Sequence, residues 1–255
     1  GRGRDSRVHV RLSTGGHRFL VRLAREIRIY DNDGTLVSTI HIAAQRATLS
    51  PGGLGVATTK GKVAQLWSAS TGNLLSTLKG HRFLVTDAEY SPNGSQLVTV
   101  SADHTGRVWS TGTGRLLHVL VGHFFSVNTG SFSPDGHWIV TTSQFTAGLW
   151  NADTGQLLFY LGRDLKPLTS ASFSPTGNWI LTGSVDGTAR VYNCQVCAPL
   201  AQLEQLAASR LRSLALAVQR QVIQRTALSF GVSLEFKHIQ QLTEMIERGK
   251  PGARL

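Results

Sequence analysis

The sequence predicts an all-β fold of about five repeated units, each a small sheet of four short strands, followed by a helical C-terminal tail. Three observations predict it. Aromatic residues recur at Tyr30, Trp67, Trp109, Trp150 and Tyr192, spaced by 37, 42, 41 and 42 residues. A second series, Ser13, Ser50, Ser91, Ser133 and Ser174, is spaced by 37, 41, 42 and 41 and stays 17 or 18 residues ahead of the first. The composition agrees, because 27 glycines in 255 residues with 16% charged residues favour tight turns between short strands over long surface helices.

Four of the serines precede proline, at Pro51, Pro92, Pro134 and Pro175, and glycine follows in every copy, as in Ser91-Pro92-Asn93-Gly94. Proline presets one turn dihedral and glycine tolerates positive φ, so each copy marks a chain reversal between two strands. Around one such turn the alternating or apolar runs Val127 to Phe132, His137 to Thr142, Thr146 to Trp150 and Leu157 to Leu161 read as four strands. A second turn, at Thr71-Gly72, Thr113-Gly114 or Thr154-Gly155, precedes the fourth strand. A lone four-stranded unit of this size cannot bury both of its faces. Repetition around an axis solves that by stacking each sheet on its neighbour, which is the logic of propeller blades.

Gly80-His81 and Gly122-His123 before the first strand, Ser101-Ala102-Asp103 before the third and Arg107-Val108-Trp109 ending it resemble the WD-repeat signature over about residues 7 to 197. The resemblance implies a hydrogen-bonded chain of His81, Thr99, Asp103 and Trp109 with a structural role, since a buried indole N–H needs an acceptor and a buried carboxylate needs donors. Other copies depart from the pattern. The copy closed by Trp150 has His123 but Val140 and Gln144 where the hydroxyl and the Asp are expected. The copy closed by Tyr192 keeps Thr182 and Asp186 but has Arg163 at the His position, and the copy closed by Trp67 has Gly61 at the Asp position with only His41 near the His one.

The domain division expected is blades over residues 1–197 and a helical tail or truncated second domain over 198–255. After Tyr192 the place of a fourth strand is taken by Cys194 to Leu203, where Pro199 and the Leu203, Leu206, Ala207, Leu211 spacing read as a turn into a helix. In closed members of the family the start of the chain supplies that strand, and the polar run Gly1 to Arg7 is too short for it. Missing upstream blades or self-association, with at least one raw sheet edge, are therefore expected. Cys194-Gln195-Val196-Cys197 leading into Ala198-Pro199-Leu200 resembles the end of many bacterial WD-repeat proteins as far as Ser213. Beyond it, residues 214 to 227 and the face Ile239, Leu242, Met245, Ile246 read as helices, forming either a cap or the start of another domain.

Two cysteines three positions apart are too few for a disulfide-stapled secreted fold or a four-ligand zinc site, so a structural pair, no metal, no cofactor and a cytoplasmic setting are expected. No apolar run is long enough to span a membrane as a helix. The net charge of +11 is concentrated at the ends: residues 1 to 30 hold eight Arg against Asp5 and Glu26, and residues 198 to 255 hold eight Lys or Arg against four Glu.

Three functions follow. A non-catalytic scaffold or sensor would use Phe83, Leu84, Phe125 and Asn128, which follow the Gly-His turns on one face, to bind a protein partner, unless the two phenylalanines pack beneath their own blades. Nucleophile and base pairs, metal-ligand sets and phosphate loops are not evident in the sequence, so no enzyme is expected in these residues, though bacterial proteins with such repeats often carry a signalling ATPase, kinase or protease domain upstream. Nucleic-acid or other anion binding through the basic ends would depend on Arg18, Arg22, Arg25 and Arg28.

Overall fold

The serine turns build the sheets, and they do so identically in every copy. Each serine Oγ accepts a hydrogen bond from the amide five residues ahead, namely Arg18, Gly55, Gln96, Trp138 and Trp179, at 2.9 to 3.2 Å. Each serine carbonyl accepts from the glycine three residues ahead, from Gly16 to Ser13 through Gly177 to Ser174. All five glycines have φ between 68° and 80°, the left-handed region where a Cβ is costly.

The computed structural model describes residues 8–161 and 166–194. The chain divides into two compact units, residues 1–197 and 198–255. The expected helices of the second unit, Arg163 and Cys197 lie outside the described residues. The first unit consists of five antiparallel sheets in chain order. Blade 1 contains β1 (His9–Leu12), β2 (Arg18–Arg22), β3 (Ile27–Asp31) and β4 (Leu36–Ile40). Blade 2 contains β5 (Arg46–Leu49), β6 (Gly55–Lys60), β7 (Val63–Ser68) and β8 (Leu74–Leu78). Blade 3 contains β9 (Val85–Tyr90), β10 (Gln96–Ser101), β11 (Thr105–Ser110) and β12 (Leu116–Val121). Blade 4 contains β13 (Thr129–Phe132), β14 (Trp138–Thr142), β15 (Ala147–Asn151) and β16 (Leu157–Leu161). Blade 5 contains β17 (Leu168–Phe173), β18 (Trp179–Ser184) and β19 (Ala189–Asn193), so the described part of that sheet has three strands. The architecture is all-β, five small antiparallel sheets consistent with propeller blades, and blades 1 and 2, whose sequence signatures are weakest, are complete four-stranded sheets.

Because successive residues of a strand point to opposite faces, every blade offers one face to the blade before it and another to the blade after it. In the seam between blades 1 and 2, Leu20, Ile27, Ile29 and Ile40 meet Leu49, Val56 and Trp67. Between blades 2 and 3, Ala57, Leu66 and Leu78 meet Tyr90, Leu97 and Trp109. Between blades 3 and 4, Val98, Val108 and Leu120 meet Phe132, Ile139 and Trp150. Between blades 4 and 5, Val140, Leu149 and Leu161 meet Ile180 and Tyr192. The aromatic series found in the sequence is thus the face each of these blades turns toward its predecessor. Cys194, buried at the end of the last seam, is disulfide-bonded.

Candidate partner-binding rim

Beneath one rim of the propeller lie hydrogen-bonded groups that hold the entry loops. In blade 3, the Trp109 Nε1–H donates to Thr99 Oγ1 at 2.8 Å, Thr99 Oγ1 is 2.9 Å from His81 Nε2, and His81 Nδ1 is 2.9 Å from Asp103 Oδ2. The Nδ1–H tautomer of neutral His81 satisfies all of these groups at once: Thr99 donates to Nε2, and Nδ1–H donates to the carboxylate. Burial lowers the His81 pKa, and the Asp103 carboxylate only partly offsets that. Burial by itself would raise the Asp103 carboxyl, but donors from Thr105 Oγ1, the Arg82 amide and His81 outweigh it and hold the group at about 2.

Blade 4 differs from the sequence expectation at its hydroxyl. The side chain facing His123 is Thr141, 2.6 Å from Nε2, and it also accepts from Trp150 Nε1 at 2.7 Å; Val140 points into the opposite seam with Val140 side chain packed among Leu149 and Ile180. The reason is register. Counting back from the aromatic placed the hydroxyl at 140, but Trp150 follows its strand partner Ile139 by 11 residues where Trp109 follows Leu97 by 12, so that the hydroxyl must be counted from the strand partner of the aromatic. Trp109 pairs with Leu97 and Trp150 with Ile139, and the hydroxyl stands two residues later in both cases, at Thr99 and Thr141. The same rule finds Thr58 in blade 2, which accepts from Trp67 Nε1 at 2.9 Å and which the sequence reading missed. His41 does not join that group; it is exposed and its Nδ1 lies 3.7 Å from Glu26. Without a carboxylate partner, His123 is pushed down to about 4 by burial alone.

In blade 5, Thr182 is buried, while Asp186 sits exposed in the turn and accepts from the amide and hydroxyl of Thr188 at 2.9 and 2.7 Å, which lowers its pKa. Tyr192 packs against the core of the last seam and brings no indole N–H to the Thr182 hydroxyl.

Above these groups the loops of blades 3 and 4 are tied together. The Ala102 amide donates to the Leu84 carbonyl, and the Val127 amide donates to the neighbouring Ser101 carbonyl, so one turn of blade 3 holds the loop leading into β9 and the loop leading into β13. From these loops Phe83, Leu84, Phe124 and Phe125 project into solvent, Phe124 with 82% of its surface exposed. The shortened turn of blade 4 places Phe145 edge-on against Phe125, ring centres 5.5 Å apart, and so orients that ring at the surface. Phe124 was missed in the sequence because equivalence between copies aligns it with Arg82; the Phe124-Phe125 pair itself was the available signal. Asn128 belongs elsewhere: its Nδ2 donates to the Leu168 carbonyl of blade 5 at 3.0 Å, as Thr86 Oγ1 of blade 3 donates to the Val127 carbonyl of blade 4, so both are staples between blades.

Of the basic residues near the start, Arg18 donates to Asp31 and to the Gly53 carbonyl, Arg22 to the Ala44 carbonyl and Arg28 to Glu26. Among the described residues no group of three or more His, Cys, Asp or Glu is gathered for a metal ion, and no helix is long and apolar enough to cross a membrane.

The model of the WD domain, G-beta repeat, matches residues 72–110, 114–151 and 156–193. Each matched repeat begins just before the fourth strand of one blade and ends with the third strand of the next, so the sequence repeat straddles a seam. Residues 72–193 therefore carry three WD repeats. Residues 206–255 are similar to a second model, the TilS substrate binding domain. No curated protein matches the chain.

Proposed function

We propose that this chain is a non-catalytic interaction scaffold that docks a protein partner on the rim formed by the loops entering blades 3 and 4. The observation that carries it is the group of exposed apolar side chains Phe83, Leu84, Phe124 and Phe125 on loops that backbone hydrogen bonds hold to a common turn. Rigid aromatic side chains on a fixed backbone lose little freedom on binding and supply large apolar contact, which is the composition of interface hot spots. The buried histidines beneath them are consumed in structural hydrogen bonds, consistent with a supporting part. The basic-end alternative is weakened because Arg18, Arg22 and Arg28 already hold partners within the chain. The similarity over residues 206–255 supports reading 198–255 as a separate module, joined to a propeller that recruits or senses for it or for an upstream effector domain.

The test is affinity capture with the wild-type chain and with the double variant Phe83→Ser, Phe124→Ser, quantified by mass spectrometry and checked by thermal melts. Surface changes of this kind alter stability by about 0.5 kcal/mol or less. The expected result is a protein retained by wild type and reduced at least tenfold by the variant. Identical capture profiles from two equally folded proteins would overturn the rim as the docking site.

A further inference from the structure

The four internal seams share one code, and the two terminal blades each expose half of it. In the seams, the residue just before the aromatic on the third strand, Ile29, Leu66, Val108 or Leu149, packs on the following blade and is at most 2% exposed. Its neighbour on the second strand, Leu20, Ala57, Val98 or Val140, is at most 1% exposed. The same two positions in blade 5 are Val191 and Leu181, and they are 62% and 46% exposed. With Pro175 and Trp179 they line an open apolar groove of about 560 Å3.

Blade 1 shows the other half. In blades 2, 3 and 4 the residue preceding the turn serine is Leu49, Tyr90 or Phe132, at most 8% exposed and pressed on the preceding blade. In blade 1 this position is Leu12, at 73%, with Val10 beside it also exposed. On the same face Phe19 and Tyr30 pair across the sheet and stack with centres 5.1 Å apart, where Val56 and Trp67 or Leu97 and Trp109 stand in the next blades. Among the described residues the chain therefore carries an open receiving face and an open inserting face, and blade 1 does not cover blade 5.

We propose that a second copy of this chain docks head to tail, seating the Leu12, Phe19 and Tyr30 face of its blade 1 on the Leu181 and Val191 face of blade 5. The occupant is argued from the repeat itself: every internal seam mates these two kinds of face, and among the described residues each kind is left open once. The contact is heterologous, so that it propagates into a ring or a filament unless one end is blocked.

That property makes the test specific. Sedimentation velocity of the 255-residue chain over a hundredfold concentration range is expected to show mass rising with concentration. Leu12→Arg, which keeps only the blade 5 face, and Leu181→Arg, which keeps only the blade 1 face, are each expected to be monomeric, and Val191→Lys provides an independent block of the blade 5 face. All three positions are exposed, so thermal melts of the variants should match wild type at the lowest concentration, where it is monomeric. Mixing Leu12→Arg with Leu181→Arg is expected to restore association that stops at two copies. A wild-type chain that stays monomeric throughout, self-association that survives in both single variants, or a mixture that fails to pair would each overturn the proposal. In the first case the faces are left for a different occupant, such as further blades.

Discussion

At the scale of single residues, the hydroxyl that accepts from the indole is the pivot of blades 2, 3 and 4. Thr58, Thr99 and Thr141 each stand two positions beyond the strand partner of a tryptophan, and in blades 3 and 4 the same oxygen also meets a histidine. The histidine is where pH enters. His123 is held at about 4 when folded, below its ordinary 6.5, because burial disfavours the cation. The unfolded chain therefore binds more protons on acidification, so the contribution of neutral His123 is fully present above about pH 6.5 and is lost as pH falls toward 4. At ~1.4 kcal/mol for each pH unit between the two values, the loss approaches roughly 3 kcal/mol. Glu89 on β9 acts in the opposite direction. Burial raises its carboxyl to about 7, against hydrogen bonds from Ser131 Oγ and the Phe132 amide, so its contribution is present below about pH 4.5 and lost as pH rises through 7. Between about pH 4.5 and 6.5 the two slopes oppose each other, so the wild-type melting temperature is expected to change little there, whereas His123→Gln should leave a decline as pH rises through that window and Glu89→Gln a decline as pH falls through it. Profiles that stay as flat as wild type in both variants would show that other groups set the pH dependence.

At the scale of elements, the turns between the second and third strands decide what each blade can carry. In blades 3 and 5 three residues, Ala102-Asp103-His104 and Val185-Asp186-Gly187, make the turn and leave room for an aspartate whose carboxylate accepts from the following threonine. Blade 4 closes the turn with Gln144-Phe145 alone, loses the carboxylate and gains an aromatic side chain against Phe125. The last turn residue adopts left-handed backbone in both longer turns, φ 69° at His104 and 81° at Gly187. Only His104 carries a Cβ there, and the conformation costs a side-chain-bearing residue about 1 kcal/mol. His104→Gly is expected to raise stability by up to ~1 kcal/mol, less the backbone entropy glycine adds to the unfolded chain. Chemical denaturation at pH 7 measures it, and a loss of stability would mean that His104 makes a contact worth more than the strain.

At the scale of the molecule, stability is a sum over blades and seams, since each sheet touches only its neighbours. Among the described residues blades 2, 3 and 4 have two seams each, whereas blade 1 and blade 5 have one, and blade 5 exposes Leu181 and Val191. Amide exchange is therefore expected to be slowest in β10, β11, β14 and β15 and fastest in β1 and β19, a gradient that mass spectrometry of the exchanging chain reads directly. Head-to-tail assembly would change this pattern, protecting β1, β18 and β19 at high concentration. Uniform exchange across the five blades would contradict the additive picture.

What the amino-acid sequence by itself determined was the repeat: the Ser13 to Ser174 and Tyr30 to Tyr192 series, the turn glycines and the strand alternation are local chemistry, and local chemistry survives in a string of letters. It carried the His81, Thr99, Asp103 and Trp109 set because the blade 3 turn has the family's length, and it misplaced the blade 4 hydroxyl at Val140 because a one-residue change in turn length is visible only as cross-strand register. Tertiary structure alone decided what is buried. Val98 with Val108 and Leu181 with Val191 are the same pattern on the same strands, yet the first pair is closed off by blade 4 and the second is open. Burial is a property of the neighbour as well as of the residue, and so it cannot be read from either strand alone.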